Sequence, residues 1–171
     1  MKAETLYQQL EKDFITPEMS DSWVEYMLSV SDFLTDNYKD RSIGLVCDNS
    51  SQINKVYTAV FPSKQVMRTI LDKNETGVML FVHHPSDWNW SDPPDAFEQM
   101  DRELLNRFRE RRISIYNLHV PLDNYGEYST SVSLANTLGL EIIKPFGYYF
   151  GALAGVFTVT DCSTIRELDE K

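Results

Sequence analysis

The stretch VMLFVHHP at residues 78–85 decides the fold that this sequence predicts. Its first five residues form an apolar run that is short and β-rich enough to be a buried strand, and two histidines follow directly. A second segment repeats this order. ISIYNL at residues 113–118 is strand-like, His119 comes next, and Asp123 stands four residues later. Both segments therefore place metal-ligating types of side chain at the end of a predicted strand.

Helical patterns lie between the predicted strands. Apolar residues at helical spacing predict helices over residues 21–34, 62–71, 95–111 and 128–138, and apolar runs predict further strands over 43–47, 56–61, 141–144 and 151–160. This alternation favours an α/β fold with a mixed or mostly parallel sheet flanked by helices. The length suits a single domain over residues 1–171. The short amphipathic segment at 164–171 leads us to expect the N-terminal part of a longer protein.

Charge and composition exclude several classes of partner. The formal net charge is -10, so the surface repels phosphate backbones and we expect no nucleic acid partner. The arginines at 107–112 are interleaved with glutamates, which is typical of a solvated helix face. The N-terminus lacks a signal-peptide pattern, and no apolar run is long enough to span a membrane. We therefore expect a cytoplasmic protein with reduced cysteines and no membrane association.

The histidines and the aspartate at the predicted strand ends point to a divalent-metal site. In an open α/β sheet, ligands gather beyond the carboxyl ends of the strands. If the two strands are neighbours, His83, His84, His119 and Asp123 form one cluster. Neutral imidazole suits zinc, iron, nickel or manganese, and a carboxylate can bridge two ions.

The adjacency of His83 and His84 bears on the number of ions. Successive side chains of an extended chain point to opposite faces, and Pro85 biases His84 towards extended backbone. We therefore expect each histidine to bind a different ion, with Asp123 bridging the two. Structural roles stay open as alternatives. The histidines can be ordinary packed residues, and Asp123 can cap the turn before Asn124.

The segments VHHP at 82–85 and NLHVPLD at 117–123 resemble the Ngg-interacting-factor-three-like family. Weaker similarities are VCDNS at 46–50 and LANTLGL at 134–140, and the order of elements fits from about residue 21 to the C-terminus. The resemblance implies a protein with a dinuclear metal centre, of the kind described as GTP cyclohydrolase I, type two. It also implies a homo-oligomer, a hexameric ring of two-layer α/β subunits.

The resemblance also implies roles for single residues. His83, His84 and Asp123 match metal ligands, with Asp123 bridging, and His119 matches a nearby histidine that orients a ligand or water or shuttles protons. Family members complete the site with a C-terminal His-x-x-x-Glu, whereas no histidine follows His119 here. Residues 120–121 also depart from the small polar residues usual in the family.

Two hypotheses about function follow. The first is a metal-dependent hydrolase in which metal-activated water attacks a small, nucleotide-like substrate. The second is a non-catalytic interaction or regulatory module of the same family, either metal-binding or metal-free. Trp88 and Trp90, followed by two prolines, predict an aromatic loop beside the site, either a lid or an ordinary packed loop.

Overall fold

The computed structural model of the chain describes residues 1–88 and 97–170. The α-helices are α1 (Ala3–Phe14), α2 (Asp36–Arg41), α3 (Lys64–Asp72), α4 (Arg102–Glu110), α5 (Val120–Asp123), α6 (Thr130–Thr137) and α7 (Ile165–Asp169). The strands are β1 (Gly44–Cys47), β2 (Lys55–Ala59), β3 (Val78–Val82), β4 (Asp87–Trp88), β5 (Phe97–Glu98), β6 (Ile113–Asn117), β7 (Glu141–Tyr149) and β8 (Ala152–Val159). Within these ranges, no helix has both the length and the apolar character needed to cross a membrane.

The chain divides into two units, Met1–His119 and Val120–Lys171. The first unit contains the larger sheet with α1 to α4. The second contains α5 to α7 and the β7–β8 pair. The single domain over residues 1–171 that the length predicts stays a prediction.

The sheet of the first unit has the strand order β1-β6-β3-β2. Strands β2, β3 and β6 run parallel, and β1 pairs antiparallel with β6, so the predicted mostly parallel α/β sheet is confirmed. Val82, the last residue of β3, lies opposite Asn117, the last residue of β6. This register brings the two histidine-bearing strand ends side by side.

Helices α3 and α4 bury their apolar faces in the core of the first unit. Each helix contributes residues at helical spacing, and the sheet supplies the matching apolar side chains: Met67, Ile70 and Leu71; Leu104, Leu105 and Phe108; Leu80, Val82, Ile113 and Ile115. Fully burying one such side chain contributes about 1.5–3 kcal/mol. This core packs against β3 and β6 and so positions the segments that follow them.

The predicted helix over residues 21–34 is wrong. The segment forms two short 3₁₀-helices, Trp23–Tyr26 and Leu28–Phe33. Met27, Val30 and Phe33 are buried at a spacing of three residues, which matches the three residues per turn of a 3₁₀-helix better than the 3.6 of an α-helix.

The predicted helix over residues 95–111 begins too early. Phe97–Glu98 pairs with Asp87–Trp88 as a two-stranded ribbon, and α4 starts at Arg102. The carboxylate of Asp101 accepts hydrogen bonds from the N–H groups of Glu103 (2.9 Å) and Leu104 (3.1 Å), which fixes the start of the helix. The rest of the predicted aromatic loop, including Trp90, lies outside the described residues.

Strands β7 and β8 of the second unit form an antiparallel pair from Glu141 opposite Val159 to Tyr149 opposite Ala152. The strand character predicted for 141–144 and 151–160 is confirmed, but β7 continues to Tyr149. Pairing with β8 extends it across Pro145 and Gly147, residues that weaken a strand signal in sequence.

Candidate metal centre

His83 and His84 follow β3 directly, where the chain bends. Their N–H groups donate to the carbonyls of Ala59 (3.3 Å) and Val60 (2.9 Å) at the end of β2. The two imidazole rings lie beside each other, with centroids 4.5 Å apart and an interplanar angle of 76°. The prediction that they point to opposite faces is therefore wrong, because it assumed extended backbone where the chain turns.

His119 joins these two rings from the end of β6. The N–H of Leu118 donates to the carbonyl of Val82 (3.1 Å), which carries the parallel pairing one residue beyond the strands. The ring centroid of His119 lies 5.0 Å from that of His83 and 4.6 Å from that of His84. One potential ligand atom from each histidine falls within 4.8 Å of the other two. Of the four residues predicted to cluster, the three histidines lie together at two neighbouring strand ends; the place of Asp123 in the cluster stays a prediction.

The ring of His83 is oriented by a backbone carbonyl. Its Nδ1 lies 3.3 Å from the oxygen of Leu118, an acceptor only, so in the neutral ring Nδ1 carries the proton. The lone pair that can bind a cation is then on Nε2. The side-chain amide of Asn117 donates to the carbonyl of His83 and so holds the backbone at the bend. A histidine whose other nitrogen donates to a carbonyl is the usual arrangement of a metal ligand.

One ring nitrogen of His84 is buried without a hydrogen bond to any residue that the structure describes. Its Nδ1 is buried and has no hydrogen-bond partner among the described residues. The ring stacks on Phe61 (centroids 4.9 Å apart, 11° between planes) and meets the indole of Trp23 edge to face (5.5 Å, 69°). Burial, and secondly the neighbouring His119 and His83, lower the pKa of His84 from 6.5 to about 3.

These features of His84 fit a metal ligand. The low pKa keeps the imidazole neutral at physiological pH, and only the neutral ring can coordinate a cation. A buried nitrogen without a partner costs about 1–3 kcal/mol, a cost that coordination removes. The residues present at the cluster therefore fit a bound divalent ion.

His119 is held by a carboxylate from a distant part of the chain. Its Nδ1 lies 2.6 Å from Oδ2 of Asp21, and their side chains are 9% and 3% exposed. The indole Nε1 of Trp23 also approaches Nδ1, at 3.3 Å. Nδ1 cannot donate to Asp21 and accept from Trp23 at the same time. The contact with Asp21 is shorter and involves a charged acceptor, so it is the stronger hydrogen bond. Nδ1 therefore donates to Asp21, and the lone pair of the neutral ring is on Nε2.

Asp21 was missed by sequence reasoning, which placed it only at the start of the predicted helix over residues 21–34. It stands 98 residues before His119 and belongs to no recognisable motif. Its Oδ1 accepts from the N–H of Ser22 (2.8 Å), the local pattern typical of turns and caps. Nothing in the sequence around residue 21 signals the pairing with His119.

Asp123 lies in the second unit, at the end of α5. Its Oδ1 accepts a hydrogen bond from the hydroxyl of Thr130 (2.8 Å), and its carbonyl accepts one from Ser129 (3.5 Å). The role of Asp123 as a metal ligand stays a prediction.

The fold and the cluster define a class of protein, an α/β chain with a histidine site at adjacent strand ends. Residues 23–170 match the model of the Duf34/NIF3 (NGG1p interacting factor 3) family, and the chain belongs to this family. It is 30% identical over 150 residues to the GTP cyclohydrolase 1 type 2 homolog of Archaeoglobus fulgidus, covering 86% of this chain and 59% of that protein. With the Pyrococcus horikoshii protein of the same name it shares 32% identity over 123 residues, covering 69% of this chain and 46% of that protein.

Solved structures share the fold. Protein ybgI, whose structure carries the description "unknown function", has a TM-score of 0.56 and 21% identity, covering 85% of this chain and 50% of its own. TTHA1606 from Thermus thermophilus has a TM-score of 0.53 and 21% identity, covering 89% of this chain and 53% of its own. The chain spans about half the length of the curated relatives it matches.

Proposed function

We propose that this chain binds divalent metal through His83, His84 and His119, and that it belongs to a metal-dependent hydrolase acting on a small, nucleotide-like substrate. The observation that carries the proposal is the cluster of potential ligand atoms within 4.8 Å of one another, one of them from a ring with a buried, unsatisfied nitrogen. The substrate class follows from the relatives that bear the name GTP cyclohydrolase 1 type 2 homolog.

Electrostatics support cation binding at this place. The formal net charge of -10 produces a negative field that draws cations to the protein. The imidazole of His84 stays neutral at physiological pH, so it does not repel them. An all-nitrogen set suits zinc, iron, nickel or manganese more than magnesium or calcium, which prefer oxygen.

The number of ions rests on the family resemblance. The two histidines lie side by side, so their adjacency does not by itself call for a second ion. A dinuclear centre with Asp123 as the bridging ligand remains part of the proposal because of the resemblance in residues 117–123.

The chemistry is that of hydrolysis. A divalent ion supplies Lewis acidity, which lowers the pKa of water towards 7 and stabilises negative charge that develops in a transition state. Leu118 orients His83, Asp21 holds the proton of His119 on Nδ1, and the rings of Phe61 and Trp23 shield His84 from solvent. Such fixed orientation keeps the ligand nitrogens in place before an ion arrives.

Metal analysis tests the proposal. We expect the purified wild-type chain, loaded with Zn²⁺ or Mn²⁺ and then desalted, to retain metal that the His83→Ala/His84→Ala variant loses. Asp72→Asn, which removes an exposed carboxylate away from the cluster, is the matched control and should retain metal like the wild type. Equal metal content in the wild type and the double variant contradicts the proposal. Consumption of GTP by the loaded protein, followed by chromatography, tests the substrate class separately.

The alternative is a non-catalytic, metal-free module. It is favoured by the packing of the three imidazoles on one another and on Phe61, which histidines with a purely structural role also show. A preformed site gains stability as RT ln(1 + [L]/Kd) when its ligand is added. An unchanged melting temperature on adding Zn²⁺ or Mn²⁺ supports the alternative, and a clear rise in the wild type but not in the double variant contradicts it.

A further inference from the structure

The carboxylate of Asp21 is buried against the imidazole of His119. Its side chain is 3% exposed, its Oδ2 lies 2.6 Å from Nδ1 of His119, and its Oδ1 accepts the N–H of Ser22. Burying a carboxylate is costly unless charge-assisted hydrogen bonds compensate it. An exposed aspartate could accept the N–H of Ser22 equally well, so the turn does not explain why Asp21 is buried. The burial indicates that Asp21 acts on His119.

We propose that Asp21 is the positioning residue that makes His119 a metal ligand. The inference rests on the proposed metal function and deepens it, because it assigns His119 to the ion itself and adds a residue from the N-terminal part of the chain. Asp21 fixes the proton on Nδ1, aims the ring and leaves the lone pair of Nε2 for the cation.

The environment of His119 supports this assignment over a purely structural pair. The ring packs against the other two imidazoles rather than against apolar side chains alone, with centroids 5.0 Å from His83 and 4.6 Å from His84. Without the carboxylate, the nearby indole N–H of Trp23 (3.3 Å) can donate to Nδ1 instead. The proton of the neutral ring would then move to Nε2 and block coordination.

The two acceptor contacts of the cluster thus form a common pattern. Leu118 accepts from Nδ1 of His83, and Asp21 accepts from Nδ1 of His119. Both rings then offer Nε2. The carboxylate differs from the carbonyl because its negative charge also offsets the charge of a cation bound to the ring.

The tautomer can be measured without any metal. In ¹⁵N NMR of the metal-free protein, the two ring nitrogens of a neutral histidine have distinct shifts. We expect His119 to be protonated on Nδ1 in the wild type and to shift towards the Nε2-protonated form in Asp21→Asn or Asp21→Ala. A wild-type His119 protonated on Nε2 overturns the inference.

A double-mutant cycle on metal affinity tests whether Asp21 acts through His119. We expect Asp21→Asn to weaken Zn²⁺ or Co²⁺ binding about 10–100-fold, the range usual for the partner of a ligating histidine. In a His119→Ala background the same substitution should have little further effect. An equal loss in both backgrounds means that Asp21 acts only as a distant charge, and no loss in either means that it does not act at all. Each result overturns the inference.

Two further measurements separate the ways in which the test can fail. Melting curves of the metal-free variants show whether Asp21→Asn is still folded. If it is unfolded, Asp21→Ala takes its place, and the Co²⁺ absorption spectrum, which depends on the ligand set, shows whether His119 still binds the ion. If the wild type shows the Nδ1 tautomer but binds no metal, the metal function fails and the inference fails with it. If the wild type binds metal and the cycle is additive, the inference alone fails.

Discussion

At the scale of single residues, His84 has an unusual environment. Burial beside two other imidazoles lowers its pKa to about 3, whereas its pKa in the unfolded chain is near 6.5. The folded protein therefore binds fewer protons than the unfolded chain between these values. Because the folded pKa of this histidine is depressed, its stabilising contribution is fully present above pH 6.5 and is lost as the pH falls towards 3.

This titration gives a measurable prediction. We expect the free energy of unfolding of the metal-free wild type, from urea titrations at pH 7.5, 6.5 and 5.5, to fall more steeply on acidification than that of His84→Gln, whose side chain does not titrate. The plot of the free energy of unfolding against pH should be steeper for the wild type than for His84→Gln. Parallel pH profiles for the two proteins would show that His84 is protonated normally in the folded state.

Residue identity at the site was partly readable from sequence. The positions of His83, His84 and His119 were predictable because β3 is an apolar run, residues 113–118 are strand-like, and the histidines follow directly. Asp21 was not predictable, because its partner lies 98 residues away and the fold alone brings them together. The neighbouring rings of His83 and His84 were also missed, since no sequence rule marks the bend after Val82.

At the scale of elements, α4 depends on a single capping residue. Asp101 satisfies two of the N–H groups in the first turn, and the helix then buries Leu105 and Phe108 in the core. We expect Asp101→Ala to lower the free energy of unfolding by about 1 kcal/mol, whereas Asp101→Asn, which keeps an oxygen acceptor, should cost much less. Urea denaturation of both variants measures the difference, and equal losses would assign the effect to charge rather than to the cap.

The boundaries of elements show where pattern reasoning stops. The apolar spacing of residues 23–34 is compatible with an α-helix, but Met27, Val30 and Phe33 repeat every three residues and the segment is 3₁₀. The apolar pattern upstream of α4 predicts a start near residue 95. The cap at Asp101 and the pairing of β5 with β4 override that pattern. Capping chemistry and long-range pairing, rather than propensity, set these ends.

At the scale of the whole molecule, the β7–β8 pair of the second unit carries several exposed apolar side chains. These are Ile143, Phe146, Tyr148, Phe157 and Val159, with Tyr148 89% exposed. Exposed apolar clusters of this kind mark interaction surfaces. The homo-oligomer that the family resemblance implies stays a prediction, and we propose these side chains as its subunit contacts.

We therefore expect light scattering after gel filtration to give a mass well above the 19.8 kDa of one chain, up to six times that value for a hexamer. Replacing Tyr148 and Phe157 by lysine should shift the mass downwards if these residues lie in a subunit contact. As a control, Tyr128→Lys changes another exposed tyrosine outside the strands. A wild-type monomer at micromolar concentration would contradict the proposal.

The parallel pairing of β3 with β6 has a consequence for synthesis of the chain on the ribosome. His83 and His84 emerge first, but their partner ring lies 36 positions later than His83 and is placed only when β6 aligns with β3. Because a chain emerges at about 5–20 residues per second, this interval lasts a few seconds. During this interval the nascent chain contains His83, His84 and Asp21 but not yet His119. In the metal site that we propose, all three imidazoles can bind one cation only after translation has passed His119, so metal loading would follow folding of the first unit.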